Sequence, residues 1–125
     1  MSHNQLTTFP LSLLNLKHLA IVDLSSNRLT SVPGEVGQLE ATELVLNCNQ
    51  ISDLSSEISK CPRLKTLRLE QNQLTLQSIP KELLAESTVS LLKLDGNLFD
   101  TKLLDKLEGF DKYMERYTAV KRKLD

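Results

Sequence analysis

The sequence predicts an α/β solenoid. Short parallel strands stack into one concave sheet, irregular or 3₁₀ segments return on the convex side, and a C-terminal helix caps the stack. Three observations predict it. The 125 residues hold 27 leucines but only three Phe, two Tyr and no Trp, so the core is aliphatic. A nine-residue pattern recurs at a nearly fixed interval. Beyond Asn97 that pattern gives way to a helical stripe. Apolar residues are 40% and charged residues 25% of the chain, which is globular composition at single-domain length.

The pattern is apolar-x-x-apolar-x-Leu-x-x-Asn. It occurs as LAIVDLSSN (19–27), ATELVLNCN (41–49), LKTLRLEQN (64–72) and VSLLKLDGN (89–97). Asn4, Asn27, Asn49, Asn72 and Asn97 mark the units, with steps of 23, 22, 23 and 25 residues. An apolar residue follows each Asn by two (Leu6, Leu29, Ile51, Leu74, Phe99), and Pro follows a further apolar position at Phe9-Pro10, Val32-Pro33 and Ile79-Pro80. The apolar-x-Leu stretch has period two, so it is a strand with one buried face. So short a strand cannot bury that face alone. Copies stacked ~4.8 Å apart in a parallel sheet can. The Asn amide, donor and acceptor at once, turns inward to satisfy backbone groups where the strand bends away, so these five form a structural asparagine ladder. Leu16, Leu39 and Cys61 share one later core position. The predicted units are a truncated repeat at 1–18, repeats at 19–40, 41–63, 64–88 and 89–102, and a helical cap at 103–125.

In the cap, Leu103, Leu107, Phe110, Met114 and Tyr117 step by 4, 3, 4 and 3, a helical stripe in which Gly109 makes a break and Asp111 caps the second piece. At the other end Met1 falls in an inward Leu position, so the sequence opens at the tail of a repeat. The expectation is that further repeats precede it or that a second copy covers the edge at 19–24, giving a dimer.

This pattern resembles the leucine-rich repeats of intracellular proteins. LEGFDKYMERYTAVKRK (107–123), EVGQLEATELVLNCNQIS and ISKCPRLKTLRLEQNQL extend the resemblance to the C-terminal half of one small member of that family. The resemblance implies a right-handed leucine-rich-repeat solenoid, non-enzymatic and intracellular. In full-length members it implies an N-terminal lipid anchor, whose acceptor glycine this sequence lacks.

Residues flanking the inward positions project onto the concave face in three columns: Ile21, Glu43, Thr66, Leu91; Asp23, Val45, Arg68, Lys93; and Ser25, Asn47, Glu70, Asp95. This is the default partner-binding surface of such a solenoid. Arg68 and Lys93 are like-charged neighbours, but Glu70 and Asp95 stand two residues along the same strands, so the face largely neutralises itself. Cys48 is read as an inert thiol beside these columns. Lys112, Arg116, Lys121, Arg122 and Lys123 make a basic cluster on the final helix that offers weak attraction to acidic lipid.

The functional expectation is a non-enzymatic scaffold that takes a protein partner on its concave face. The alternative is a peripheral membrane adaptor that combines the basic helix with a lipid anchor. A net charge of −1 argues against a nucleic-acid partner. His3, His18, Cys48 and Cys61 match no metal-ligand spacing, and no phosphate loop or activated nucleophile is legible, so no cofactor, metal or catalytic residue is expected. With two cysteines and no signal peptide, the expected compartment is the cytoplasm, with a peripheral membrane share in the alternative.

Overall fold

The computed structural model describes residues 4–16 and 19–124, and side chains as far as 122. Met1, His3, His18 and the side chain of Lys123 lie outside the described residues. The units marked by Asn27, Asn49, Asn72 and Asn97 each begin with a three-residue strand: β1 (Ile21–Asp23), β3 (Glu43–Val45), β5 (Thr66–Arg68) and β6 (Leu91–Lys93). These pair in parallel, in the order β1-β3-β5-β6, and the register sets Val22, Leu44, Leu67 and Leu92 side by side. A smaller parallel pair, β2 (Ser31–Val32) and β4 (Asp53–Leu54), follows the turn. It arises because the residues before Pro33 are held extended and find the next coil's extended segment beside them.

The core fills the space between strands and return path. Leu24, Leu44, Leu46, Leu67 and Leu69 are fully buried from the sheet side, and Leu29, Val36, Leu39, Ile51, Ile58 and Leu74 from the outer side. Burying each such side chain is worth about 1.5–3 kcal/mol against leaving it in water. The return path is 3₁₀ at Leu11–Asn15, Gly34–Gln38, Ser56–Lys60 and Leu76–Ser78. The longest unit, of 25 residues, has room for a true helical turn, α1 (Lys81–Ala85).

Asparagine amides tie the coils together. The Asn49 Oδ1 accepts the Leu29 N–H at 3.1 Å, while its Nδ2 donates to Leu46 O at 3.0 Å and, in the preceding coil, to Leu24 O at 3.0 Å. Asn72 repeats this with Ile51 N–H, Leu69 O and Leu46 O, and Asn97 with Leu74 N–H, Leu94 O and Leu69 O. Asn27 accepts the Leu6 N–H and donates to Leu24 O. Asn4 differs: it is exposed, whereas Asn27, Asn49 and Asn72 are buried. The residue before each of these four asparagines has a left-handed backbone: Ser26 (φ 58°), Cys48 (60°), Gln71 (58°) and Gly96 (80°). Three of the four carry a β-carbon, at a cost of about 1–2 kcal/mol each.

Two expectations need correction. Leu16 is 50% exposed, unlike its counterparts Leu39 and Cys61, because the first coil has a stacking neighbour on one side only among the described residues. The C-terminal stripe is not one helix from 103. Thr101–Lys106 is 3₁₀, so the predicted boundary at 102/103 falls inside it, and Gly109 (φ 91°) turns the chain before α2 (Phe110–Leu124) begins. The break resets the helical phase. Phe110, Tyr113 and Tyr117 face the core, and Met114 points outward at 37% exposure. Asp111 lies exposed in the first turn of α2, and the Gly109 carbonyl instead accepts the N–H groups of Lys112 and Tyr113. Gly109 also has no room for a side chain, since a β-carbon there would meet Ala85 at 2.9 Å.

Replacing Asn49 by Ala strands the buried Leu29 N–H and takes one of two amide donors from each of Leu24 O and Leu46 O, which keep Asn27 and Asn72. It should cost about 1–3 kcal/mol in urea unfolding, well above the effect of an exposed substitution such as Gln50→Ala.

Candidate functional site

The sheet register assembles two of the predicted columns on the strands themselves. Ile21, Glu43, Thr66 and Leu91 stand side by side, as do Asp23, Val45, Arg68 and Lys93. The third column lies just past the strands, where successive coils still bond: Ser26 N–H to Asn47 O, Cys48 N–H to Glu70 O and Gln71 N–H to Asp95 O. Parallel pairing of period-two segments permits no other arrangement, because the inward Leu residues force their neighbours outward.

The charges on this face are satisfied from within it. Arg68 sits between two carboxylates, with Nε 3.5 Å from Glu43 Oε2 and Nη1 3.8 Å from Glu70 Oε1. Lys93 Nζ lies 3.5 Å from Asp95 Oδ2. The Glu43 contact runs diagonally between adjacent strands, a pairing that column-by-column reading of the sequence missed. These pairs are partly exposed, so each contributes little to stability. Their effect is to lower the charge the surface presents. The other polar groups are also engaged. The Asp23 carboxylate accepts from Ser25 N–H (3.0 Å) and Ser25 Oγ–H (2.6 Å). The Asn47 Oδ1 accepts the Glu70 N–H at 2.8 Å, so Asn47 bridges coils as well as facing outward. Apolar surface remains between them, most openly at Ile21, which is 59% exposed, and in part at Val45 and Leu91.

The cysteines differ sharply. Cys61 is buried, donates to Val36 O at 3.1 Å, and burial pushes its thiol pKa up to about 11. Cys48 is exposed on the rim of the columns. Among the described residues no three His, Cys, Asp or Glu side chains group to hold a metal ion, and no helix is long and apolar enough to cross a membrane.

The expected basic cluster on the last helix is smaller than it reads. Arg116 turns back into the fold, its Nε donating to Val89 O and its Nη2 to Leu84 O, both at 2.7 Å. It caps carbonyls at the end of α1 and beside β6, and among the described residues leaves Lys112, Lys121 and Arg122 as the outward cations of the cluster. Burial pulls its pKa below the usual guanidinium range. Tyr113 accepts the Leu92 N–H at 2.9 Å through its hydroxyl, which covers the outer edge of β6. No repeat pattern marks these two residues, so periodicity could not find them.

Known proteins share this architecture. A family model described as leucine-rich repeats (two copies) matches residues 42–83. A solved leucine-rich-repeat protein of Leptospira interrogans superposes with a TM-score of 0.73 and 33% identity, over 93% of this chain and 29% of that one. The chain is a leucine-rich-repeat solenoid. A solved BIR3–SERK2 complex from Arabidopsis thaliana contains a chain similar to it, with a TM-score of 0.58 and 27% identity, over 80% of this chain and 55% of that one. Among curated proteins, the human PH domain leucine-rich repeat-containing protein phosphatase 1 is 32% identical over 113 residues, 87% of this chain and 6% of the phosphatase. This solenoid spans 6 to 16% of the curated relatives it matches.

Under native conditions at pH 8 a disulfide reagent such as dithionitrobenzoate should titrate one thiol per chain quickly, that of Cys48. The second, Cys61, should react only at the unfolding rate. Because the Cys61 pKa is raised in the fold, the unfolded chain ionises first as pH climbs. Its contribution should be complete below pH 9 and lost as pH rises towards 11, which alkaline urea titrations compared with Cys61→Ala would read.

Proposed function

We propose that the solenoid is a non-enzymatic interaction module whose concave sheet takes a protein partner. The observation that supports this is the state of the concave charges. Arg68 and Lys93 already hold Glu43, Glu70 and Asp95, so a partner can cover them without stranding a single bare ion, while Ile21, Val45 and Leu91 supply apolar contact. Leucine-rich-repeat solenoids serve as extended binding surfaces, and one similar chain is known within a two-protein complex. The relative that is a phosphatase shares only this solenoid segment, so its catalysis is not carried over.

LEGFDKYMERYTAVKRK and the two stretches quoted with it resemble leucine-rich repeat-containing protein 57, and the proposal includes a scaffold role of that kind. It also includes residence in the cytoplasm, where a reducing environment suits the two free thiols. The membrane-adaptor reading has less support, because Arg116 is committed to backbone carbonyls. Two copies meeting at β1 is the oligomer this reading allows, with Ile21, Leu16 and Leu11 as its apolar contact.

The test is an affinity pull-down from cytosol analysed by mass spectrometry. It compares the native chain, Arg68→Glu/Lys93→Glu, Val45→Arg and the helix variant Lys121→Glu/Arg122→Glu, each shown folded by circular dichroism. A partner should be retained by the helix variant and reduced at least tenfold by both concave variants. A partner lost only from the helix variant would move the interface to α2.

A further inference from the structure

We propose that a hollow between the start of β6 and helix α2 is a second contact site, which takes an acidic side chain of a protein partner together with an adjoining aliphatic group. The hollow measures about 440 Å³ and is lined by Lys65, Arg116 and Val120 with Ser87, Thr88 and Ser90. It lies at the shoulder of the concave sheet, outside the three columns, and stands whether or not they bind.

The donors that remain in the hollow are cationic. The three hydroxyls are spent on backbone carbonyls: Ser87 Oγ donates to Leu83 O, Thr88 Oγ1 to Leu64 O at 2.6 Å, and Ser90 Oγ to Lys65 O at 3.4 Å. Lys65 is exposed and has no carboxylate within ion-pair distance among the described residues, in contrast to Lys60, Arg68, Lys81 and Lys93. Arg116 is ringed by carbonyls of Val89, Leu84, Leu83 and Lys112, and it too has no carboxylate partner among the described residues. Its chain neighbour Glu115 lines the adjacent groove of α2 with Asp111 and Met114 and makes no ion pair with it. Two cations therefore share a hollow that no carboxylate of the described residues lines, on a protein whose net charge is −1. The rest of the wall is aliphatic, with Val120 43% exposed. A carboxylate beside a short aliphatic chain matches both halves of the lining: the anion meets the Lys65 ammonium and the one Nη1 hydrogen of Arg116 that the carbonyls leave over, and the methyl groups lie on Val120.

The test uses isovalerate as the probe, followed by amide chemical shifts of the ¹⁵N-labelled chain at constant ionic strength, with 3-methylbutan-1-ol and inorganic phosphate as comparisons. Isovalerate should shift the amides of Lys65, Thr88–Ser90 and Arg116–Val120 with half-saturation on the order of 10 mM, the range for a single ion pair with a small apolar contact. The neutral alcohol should shift them far less. Lys65→Glu, which changes an exposed side chain and spares the Arg116 tether, should weaken the response at least fivefold, and Val120→Asp should do the same. Shifts scattered over the surface, none at all, or a full response in Lys65→Glu would overturn the inference. A response to phosphate without one to isovalerate would also overturn it, in favour of a phosphorylated partner.

Discussion

The stack depends on one side-chain amide per coil. Each strand ends in a turn that aims backbone N–H and C=O groups at a leucine interior, where an unmet polar group costs about 1–3 kcal/mol. Asn49 and Asn72 each meet three such groups and reach into the preceding coil to do so. Reaching inward requires the residue before the Asn to adopt a left-handed backbone, as Ser26, Cys48 and Gln71 do. A strained residue and a satisfied amide thus belong to one device, in which the hydrogen bonds offset the strain. Neither would persist without the other. The sheet register follows, because an amide tied at both ends fixes the rise from coil to coil.

That register also determines the character of the concave face. Once neighbouring coils are locked, Glu43, Arg68 and Glu70 must share a small area, and they resolve it by pairing. The outcome is a surface with few unpaired charges and scattered apolar side chains. Long-range steering from such a face is weak, and a partner would be selected by shape and local contact. The hollow beside α2 has the opposite character: no carboxylate of the described residues lines it, and Asp111 and Glu115, the carboxylates of α2 nearest Arg116 in sequence, line the adjacent groove.

The sequence was most informative where its period was strongest. The concave columns were legible because period-two strands in parallel register leave no freedom about which residues are neighbours, as the alignment of Asp23, Val45, Arg68 and Lys93 shows. What periodicity could not supply was anything that depends on side-chain reach. The diagonal from Arg68 to Glu43 needs the length of the guanidinium, and the pairing of β2 with β4 needs the path of the outer turn. Past Asn97 the repeat ends and pattern reading lost its phase. A single left-handed residue, Gly109, exchanged Met114 for Tyr113 as the buried member of the stripe.

The cap shows why that exchange has to occur. A stack of parallel strands ends in a row of backbone groups with no next strand to meet them, and an apolar helix would leave them bare. Met114 could cover the last strand but could offer its N–H groups no acceptor of useful strength. The Tyr113 hydroxyl, at the end of a rigid apolar ring, both covers β6 and accepts the Leu92 N–H. Arg116, one turn on, packs against the same ring at 5.9 Å and serves the opposite need, donating to the carbonyls of Val89 and Leu84. The pair supplies one acceptor and several donors to an edge that lacks both. It commits most of a guanidinium to backbone carbonyls at the edge of the stack, beside Lys65 on the shoulder of the sheet.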